Sequence, residues 1–213
     1  MLKLLEVPAY SALILVLLLS KPSVQPFPIS HVILLQKPHI LMRAYYLVNC
    51  SIPFSRLLFG DLVWLLRLTW LQVNDLLEAS KTISTLPSMV ELDIQKGTVR
   101  QAGSHTRNLL RVKRGIDMVK VLFEQILVTE GNSLKDAASK AYAQVFAPHH
   151  GWAIRKAVGA GMYALPSKSQ LLKKLNEDEN SARAQMQSFV RSSGPVILYV
   201  EDLFTSKNLG LDW

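Results

Sequence analysis

The chain has 213 residues, of which 49% are hydrophobic and 19% are charged, so it can build the core of one ordinary domain and is not a disordered protein. Its formal net charge of +8 favours an anionic partner, which could be a phospholipid surface, a phosphate-bearing ligand or a nucleic acid. Cys50 is the only cysteine, which excludes an intramolecular disulfide and favours a reducing compartment.

The chain changes character near Val73. Before it, apolar runs are interrupted by prolines, and the stretch from Ala12 to Leu19 imitates a secretory signal peptide. That stretch is shorter than the roughly 20 residues that a bilayer-spanning helix needs. A true signal, a buried helix and a wrongly defined start of the chain remain alternatives, and the signal is not favoured. We therefore expect an atypical N-terminal segment over residues 1–72 and the folded domain over residues 73–213.

After this boundary, apolar residues recur at three- and four-residue spacing, which predicts helices and no strand. Asn74 is the expected N-cap of the first helix, and Pro87 is expected to bend or divide it. Ser104 is expected to begin a long helix that Gly131 closes.

Further helices are predicted in the last third of the chain. A short one is expected at 134–146, and Pro148 is expected to open the next. Ser167 and Gln170 form a capping box for a helix that reaches about Val190. The run 193–195, Ser-Gly-Pro, is then expected to break the chain before a last helix that ends at Gly210.

The long helix has three distinct faces. One is an apolar core stripe, and a second carries alternating charges, typical of a solvated, self-paired surface. The core stripe comprises Leu109, Val112, Ile116, Val119 and Phe123, and the charged face comprises Lys113, Asp117, Lys120 and Glu124.

The third face of the long helix carries Arg107, Arg111 and Arg114 with no acid among them, and it continues into Met118 and Leu122. The arginines could pair with carboxylates of another helix or point into water. Alternatively, two guanidiniums one turn apart could bind a phosphate while the apolar continuation accepts a hydrocarbon tail. The second interpretation makes this face a site for an amphiphile.

The run Pro148-His149-His150 is the second candidate site. A histidine in the first turn of a helix can donate an N–H to an anion, although a capping or packing role is the alternative. Trp152 is expected to pack in the core or at a membrane interface.

The sequence contains no pattern for catalysis, so no catalytic residue, metal site or cofactor is expected. His149 and His150 lack Cys, Asp or Glu at metal-ligand spacing, and no nucleophile elbow, phosphate-binding glycine loop or dinucleotide fingerprint is present. A nucleic-acid partner is not expected either, because zinc-finger patterns, aromatic-studded strands and acid-free recognition helices are absent from the sequence.

Two motifs carry a resemblance to a known family: Gly-Ser-His-Thr-Arg-Asn-Leu-Leu-Arg-Val-Lys-Arg-Gly at 103–115 and Phe-Ala-Pro-His-His-Gly-Trp at 146–152. Together with the terminal Leu-Gly-Leu-Asp-Trp, they closely resemble the glycolipid transfer protein family, and above all its plant accelerated-cell-death members. The resemblance implies an all-α, two-layer helical sandwich, which holds sphingolipid chains in a hydrophobic sleeve and the headgroup at a surface centre. It also implies a link to sphingolipid balance and programmed cell death.

Carried over to this chain, the resemblance places Arg107, Arg111 and His150 at headgroup-binding positions. Sugar-binding members have a tryptophan where Arg111 stands, so an arginine there implies a phosphate headgroup. The expected function is non-enzymatic transfer of a ceramide-1-phosphate-like sphingolipid by a cytosolic monomer that contacts membranes transiently. The alternative is a transfer-deficient helical interaction or regulatory protein of the same fold.

The chain departs from the family just before the matched region. The family has an aspartate that binds the sphingoid amide and hydroxyl, and a lysine four residues later, where this chain has Leu68 and Gln72. Leucine accepts no hydrogen bond and glutamine has no charge. The codons of residues 65–72 can be written so that a one-base shift reads Ala-Glu-Thr-Asp-Leu-Val-Ala, which restores the aspartate. The hypothesis is that residues 1–72, which also lack the family's first helix, come from an alternative exon or a mistaken gene model.

Overall fold

The computed structural model describes residues 72–213, except for the side chains of Lys174 and Leu175. These residues form helices, two of the connections contain a single 3₁₀ turn, and none of the described residues forms a strand. The predicted all-α class is confirmed for this part of the chain. The helices are α1 (72–79), α2 (Leu86–Gln95), α3 (His105–Val128), α4 (Lys135–Val145), α5 (Trp152–Gly161), α6 (Lys168–Leu175) and α7 (Glu179–Ser206), and the 3₁₀ turns are Ala147–His149 and Met162–Ala164.

The first predicted helix is divided, as Pro87 indicated, but its start was predicted wrongly. Residues 72 and 73 are already helical, so Asn74 lies inside α1 and is not its N-cap. Pro87 lies in the first turn of α2, where its missing N–H leaves no bond unmade, and Thr85 caps that helix by accepting from the N–H of Ser88 at 3.3 Å.

The start of α3 at Ser104 is confirmed. The Ser104 hydroxyl oxygen accepts from the backbone N–H of Arg107 at 3.1 Å. A second acceptor comes from α2, because the buried Asp93 carboxylate accepts from both the N–H and the hydroxyl of Thr106, at 2.8 and 2.7 Å. Exposed N–H groups at a helix start need such acceptors, so this end of α3 is fixed both locally and by a neighbouring helix. At its other end α3 stops at Val128, before Gly131.

The capping box of Ser167 and Gln170 is confirmed, but α6 is shorter than predicted. It ends at Leu175, where Asn176 adopts a left-handed conformation with φ 54°, and a new helix begins at Glu179. Periodicity missed this break because apolar spacing continues across it.

The predicted break at 193–195 is wrong, because α7 runs without interruption through Pro195 to Ser206. Proline removes one backbone hydrogen bond, yet the residues just after it, Val196 and Ile197, are buried in the core. Burial of that apolar surface holds the chain helical. The helix also ends before the predicted limit, Gly210, which has φ +73°.

The long helix α3 lies at the centre of the described residues and packs chiefly against α7 and α4. Its predicted core stripe is confirmed: four members are buried and Val119 is partly buried against them. At the contact with α7, the rings of Phe123 and Phe189 meet edge to face, with centroids 5.3 Å apart.

The charged face of α3 is self-paired as predicted, but one of its members is not solvated. Lys120 pairs with Glu124 at 2.9 Å within α3. Lys113 is 8% exposed and bonds to Glu201 of α7 at 2.5 Å, with Asp117 of its own helix at 3.4 Å. This buried lysine therefore links α3 to α7 by an ion pair. None of the helices within residues 72–213 is long and apolar enough to cross a membrane.

Candidate functional site

Two unpaired cations lie one turn apart on α3. Arg111 is exposed and Arg107 is partly buried, and the guanidiniums of both lack a hydrogen bond or ion pair to any described residue. Partial burial, and then the like charge of Arg107, lower the pKa of Arg111. Their helical spacing, and the lack of an acidic partner within residues 72–213, are compatible with both groups binding one anion.

Arg114, the third arginine of this face, has a different environment. Its Nη2 atom donates to the main-chain oxygens of Leu211 and Trp213, at 2.6 and 2.8 Å. Among the described residues Arg114 therefore neither pairs with a side-chain carboxylate of another helix nor points into water. The sequence pattern could not predict these contacts, because every residue has a main-chain oxygen whatever its side chain.

His150 is held by two aromatic residues at the end of α4. Its Nδ1 atom lies 2.9 Å from the Tyr142 hydroxyl, and its ring stacks on Phe146, with 5.7 Å between centroids and 5° between planes. The predicted location in the first turn of a helix is wrong: Pro148 lies inside the 3₁₀ turn Ala147–His149, His150 follows that turn in extended conformation, and α5 begins only at Trp152. The packing role suggested as an alternative is therefore present.

The electrostatics of His150 define which atom can donate. Burial, and then the positive charge of Arg114, lower the pKa of His150, so the ring is neutral at pH 7. Burial raises the pKa of Tyr142, which keeps its hydroxyl protonated and able to donate to Nδ1. In that arrangement the ring proton is on Nε2, which has no partner within residues 72–213 and can donate to a ligand.

The charge of Arg114 lowers the pKa of His149 as well, with burial as the larger cause. Both histidines are therefore close to the arginine that follows Arg111 by one turn. The structure thus places the α3 arginines and the turn after α4 in one cationic region.

The apolar continuation of the arginine face is part of the interior. Met118 and Leu122 are partly buried between α3 and α4, where they pack on a small cluster of Val121, Ala141 and Val145. The cations are followed along the helix by hydrocarbon, as predicted.

Of the two positions that depart from the family, Leu68 lies outside the described residues and Gln72 is a buried residue of α1. One turn beyond Gln72, the Oδ2 atom of Asp75 accepts from His105 Nδ1 and from Asn108 Nδ2, both at 2.8 Å. Sequence reasoning missed this network, which joins α1 to the first turn of α3.

The prediction that Trp152 packs in the core is wrong, because this side chain is 70% exposed. Ile154 is 49% exposed, and no residue of α5 is buried. The alternative, a role at a membrane interface, stays a prediction. Across the described part of the chain, no three His, Cys, Asp or Glu side chains are grouped as metal ligands.

Within residues 72–213, two arginines without a described partner lie on a helix whose apolar continuation enters the interior, an arrangement that suits an anionic amphiphile. Residues 71–177 match the model of the glycolipid transfer protein family. The chain belongs to this family.

Among its relatives, Accelerated cell death 11 of Arabidopsis thaliana is 66% identical over 143 residues, which are 67% of this chain and 69% of that protein. A homolog of it from the same plant is 49% identical over 67% of this chain and 62% of its own length. The matches thus span about two thirds of these relatives.

Solved structures give the same family fold. A crystal structure of a mutant of the Arabidopsis accelerated-cell-death 11 protein, complexed with C12 ceramide-1-phosphate, matches with a TM-score of 0.74 and 47% identity over 96% of each chain. The mouse ceramide-1-phosphate transfer protein in its apo form matches with a TM-score of 0.68 over 93% of this chain and 96% of that one. At 18% identity, this second match shows the fold alone. The predicted glycolipid-transfer fold is confirmed.

Proposed function

We propose that this chain carries a ceramide-1-phosphate-like sphingolipid between membranes without catalysing a reaction. The observation that carries the proposal is the Arg107–Arg111 pair, which has no acid or carbonyl partner among the described residues. Two guanidiniums one turn apart offer paired N–H groups that match phosphate oxygens. The complex of the accelerated-cell-death 11 mutant with ceramide-1-phosphate supports the same ligand class.

In this proposal His150 supplies the third contact. Tyr142 fixes its tautomer, and the Nε2–H donates to the headgroup region. A neutral donor adds direction without adding charge, so His150 contributes orientation while the arginines contribute most of the electrostatic attraction.

The hydrocarbon chains of the lipid would lie within the apolar interior that the helices enclose. Helix α5 would contact the donor and acceptor membranes, because Trp152 and Ile154 are exposed beside the cationic residues Arg155 and Lys156. An exposed indole with nearby cations is typical of a membrane interface. We place the protein in the cytosol as a monomer that touches membranes transiently, and we extend to it a role in sphingolipid balance and programmed cell death.

A second candidate function is that of an interaction or regulatory protein of the same fold that does not transfer lipid. The observation that favours it is Gln72, which is buried where the family has a lysine. Its neutral amide attracts a phosphate less than an ammonium would.

Lipid extraction from the purified chain separates the two candidates. The chain is expressed in cells and purified without detergent. Its bound lipids are then extracted and identified by mass spectrometry. Co-purifying phosphorylated sphingolipid, lost in Arg111→Ala and retained in Arg191→Ala, supports transfer. Arg191 is a matched control because it is an exposed arginine of α7. A lipid-free parent supports the regulatory candidate.

A further inference from the structure

The segment that follows α7 folds back onto α3. After Ser206 the chain turns at Asn208 and Gly210, with φ values of 53° and 73°, and residues Leu209, Leu211 and Trp213 pack against the core. The indole Nε1 of Trp213 donates to the Leu209 carbonyl at 2.9 Å, which closes the turn on itself. We call residues 208–213 the strap.

Two arginines fasten the strap to the rest of the domain. Arg114 donates from one nitrogen to the carbonyls of Leu211 and Trp213. Arg100, in the connection before α3, donates to the Leu209 carbonyl at 3.3 Å and lies over the Trp213 ring, 5.4 Å from its centroid. Four contacts from two side chains therefore hold a six-residue segment.

The strap lies at the edge of the cationic region. Arg114 follows Arg111 by one turn of α3, so the Leu211 carbonyl that it binds lies close to the proposed phosphate site. The carboxylate of Asp212, an exposed strap residue, raises the pKa of both Arg114 and His149, although the larger effects on both groups lower it.

We propose that the strap is a wall of the headgroup site that limits headgroup size, and that Arg114 is the positioning residue that holds it there. This proposal rests on the proposed function for its ligand. On this proposal a bare phosphate monoester would be accepted beside the fastened strap, whereas a phosphate that carries a further ring would meet it. Both contacts of Arg114 come from one nitrogen, so a methionine at this position keeps much of the side chain's length and removes the donor.

The test uses Arg114→Met and Arg100→Gln in the full chain, with Arg183→Met as matched control because Arg183 is an exposed arginine of α7. Hydrogen exchange of residues 208–213 reports on the strap. Vesicle binding is measured for ceramide-1-phosphate and for ceramide phosphoinositol, which carries an uncharged ring on the phosphate. Exchange should become about tenfold faster in both variants, and the preference for ceramide-1-phosphate should fall by roughly threefold or more, with no change in the control.

Unchanged exchange of residues 208–213 in Arg114→Met would overturn the anchoring role. In Arg100→Gln, faster exchange with an unchanged lipid preference would show that the strap does not limit headgroup size, since the described contacts of the Arg100 side chain are to strap residues. Arg100→Gln also decides the matter if Arg114→Met fails to fold. A parent that binds neither lipid contradicts the proposed function and the wall together, whereas the exchange result still decides whether Arg114 anchors the strap.

Discussion

The Tyr142 hydroxyl lies 2.9 Å from Nδ1 of His150. This contact links a residue of α4 to the turn that follows it, and when the Tyr142 hydroxyl donates to Nδ1 the ring proton of His150 is on Nε2. The proposed donor to the headgroup thus depends on a residue that does not itself need to touch the ligand.

Tyr142→Phe should weaken ceramide-1-phosphate binding by roughly two- to tenfold, because a lost neutral hydrogen bond contributes about 0.5–1.5 kcal/mol. The fold should persist, since Tyr142 is only partly buried. Binding is measured by titration of vesicles, with Tyr163→Phe as control because that tyrosine is 76% exposed. Equal binding by Tyr142→Phe and the parent would show that His150 needs no such support.

The pH dependence of stability follows from the lowered pKa of His150. Burial and the charge of Arg114 lower this pKa from its usual 6.5, so the folded protein resists a proton that the unfolded chain accepts. Above pH 6.5 both states are neutral and the histidine has no effect. As the pH falls through 6.5 towards the folded pKa, the free energy of unfolding should fall.

His150→Gln should therefore lose less stability than the parent between about pH 7.5 and about pH 5.5. Adding His149→Gln should reduce the loss further, because burial and nearby cations also lower the pKa of His149. Urea unfolding at both pH values measures the effect. A loss in His150→Gln equal to that of the parent would mean that this histidine titrates normally.

Local signals in the sequence were sufficient for the starts of α3 and α6 and for the face that carries the arginines. Ser104 and Ser167 cap their helices with residues only three positions away, so a short stretch of sequence contains the whole interaction. Pro195 shows the opposite case, because its helix persists through burial against distant elements. Propensity reports the local cost of a proline and not the packing that offsets it.

The sequence could identify candidate side chains of the site, but it could not predict their contacts with main-chain atoms. Helical spacing and the absence of acids singled out Arg107, Arg111 and Arg114, and the choice of Arg107 and Arg111 came from the family resemblance. The partners of Arg114 are carbonyls 97 and 99 residues away, so no spacing rule could predict them. The sequence likewise could not decide whether Trp152 is buried or exposed, because an indole fits both a core and a membrane interface.

Trp152→Ala should reduce binding to vesicles without destabilising the protein. The side chain is 70% exposed, so the free energy of unfolding should stay within about 0.5 kcal/mol of the parent value. Liposome sedimentation and thermal unfolding are measured together, with Val128→Ala as control because that residue is 74% exposed on another helix. A large fall in the melting temperature would instead assign Trp152 a packing role.

The chain as written should discriminate poorly between ceramide-1-phosphate and phosphatidic acid, because two arginines bind the phosphate that both lipids share. Leu68→Asp with Gln72→Lys should restore the sphingolipid preference. Gln72 is 9% exposed, so a lysine there needs a nearby anion to be stable. The matched variant Gln72→Met keeps the position uncharged.

Competition between the two labelled lipids in a transfer assay measures this preference. Strong sphingolipid selectivity in the unmodified chain would contradict the prediction. Asp75 would then be the described acid to test, through Asp75→Asn, although its Oδ2 atom already accepts from His105 and Asn108.

The central claim is that Arg107 and Arg111 bind the phosphate of a sphingolipid that the chain moves between membranes. The most direct measurement is transfer of labelled ceramide-1-phosphate and labelled glucosylceramide between vesicles by the parent, Arg107→Ala, Arg111→Ala and the control Arg191→Ala. The parent and the control should prefer ceramide-1-phosphate, and each site variant should bind it tenfold or more weakly, as expected for about 1.5–3 kcal/mol per charged contact. Equal transfer of the two lipids by the parent, or unchanged binding by both site variants, would contradict the claim.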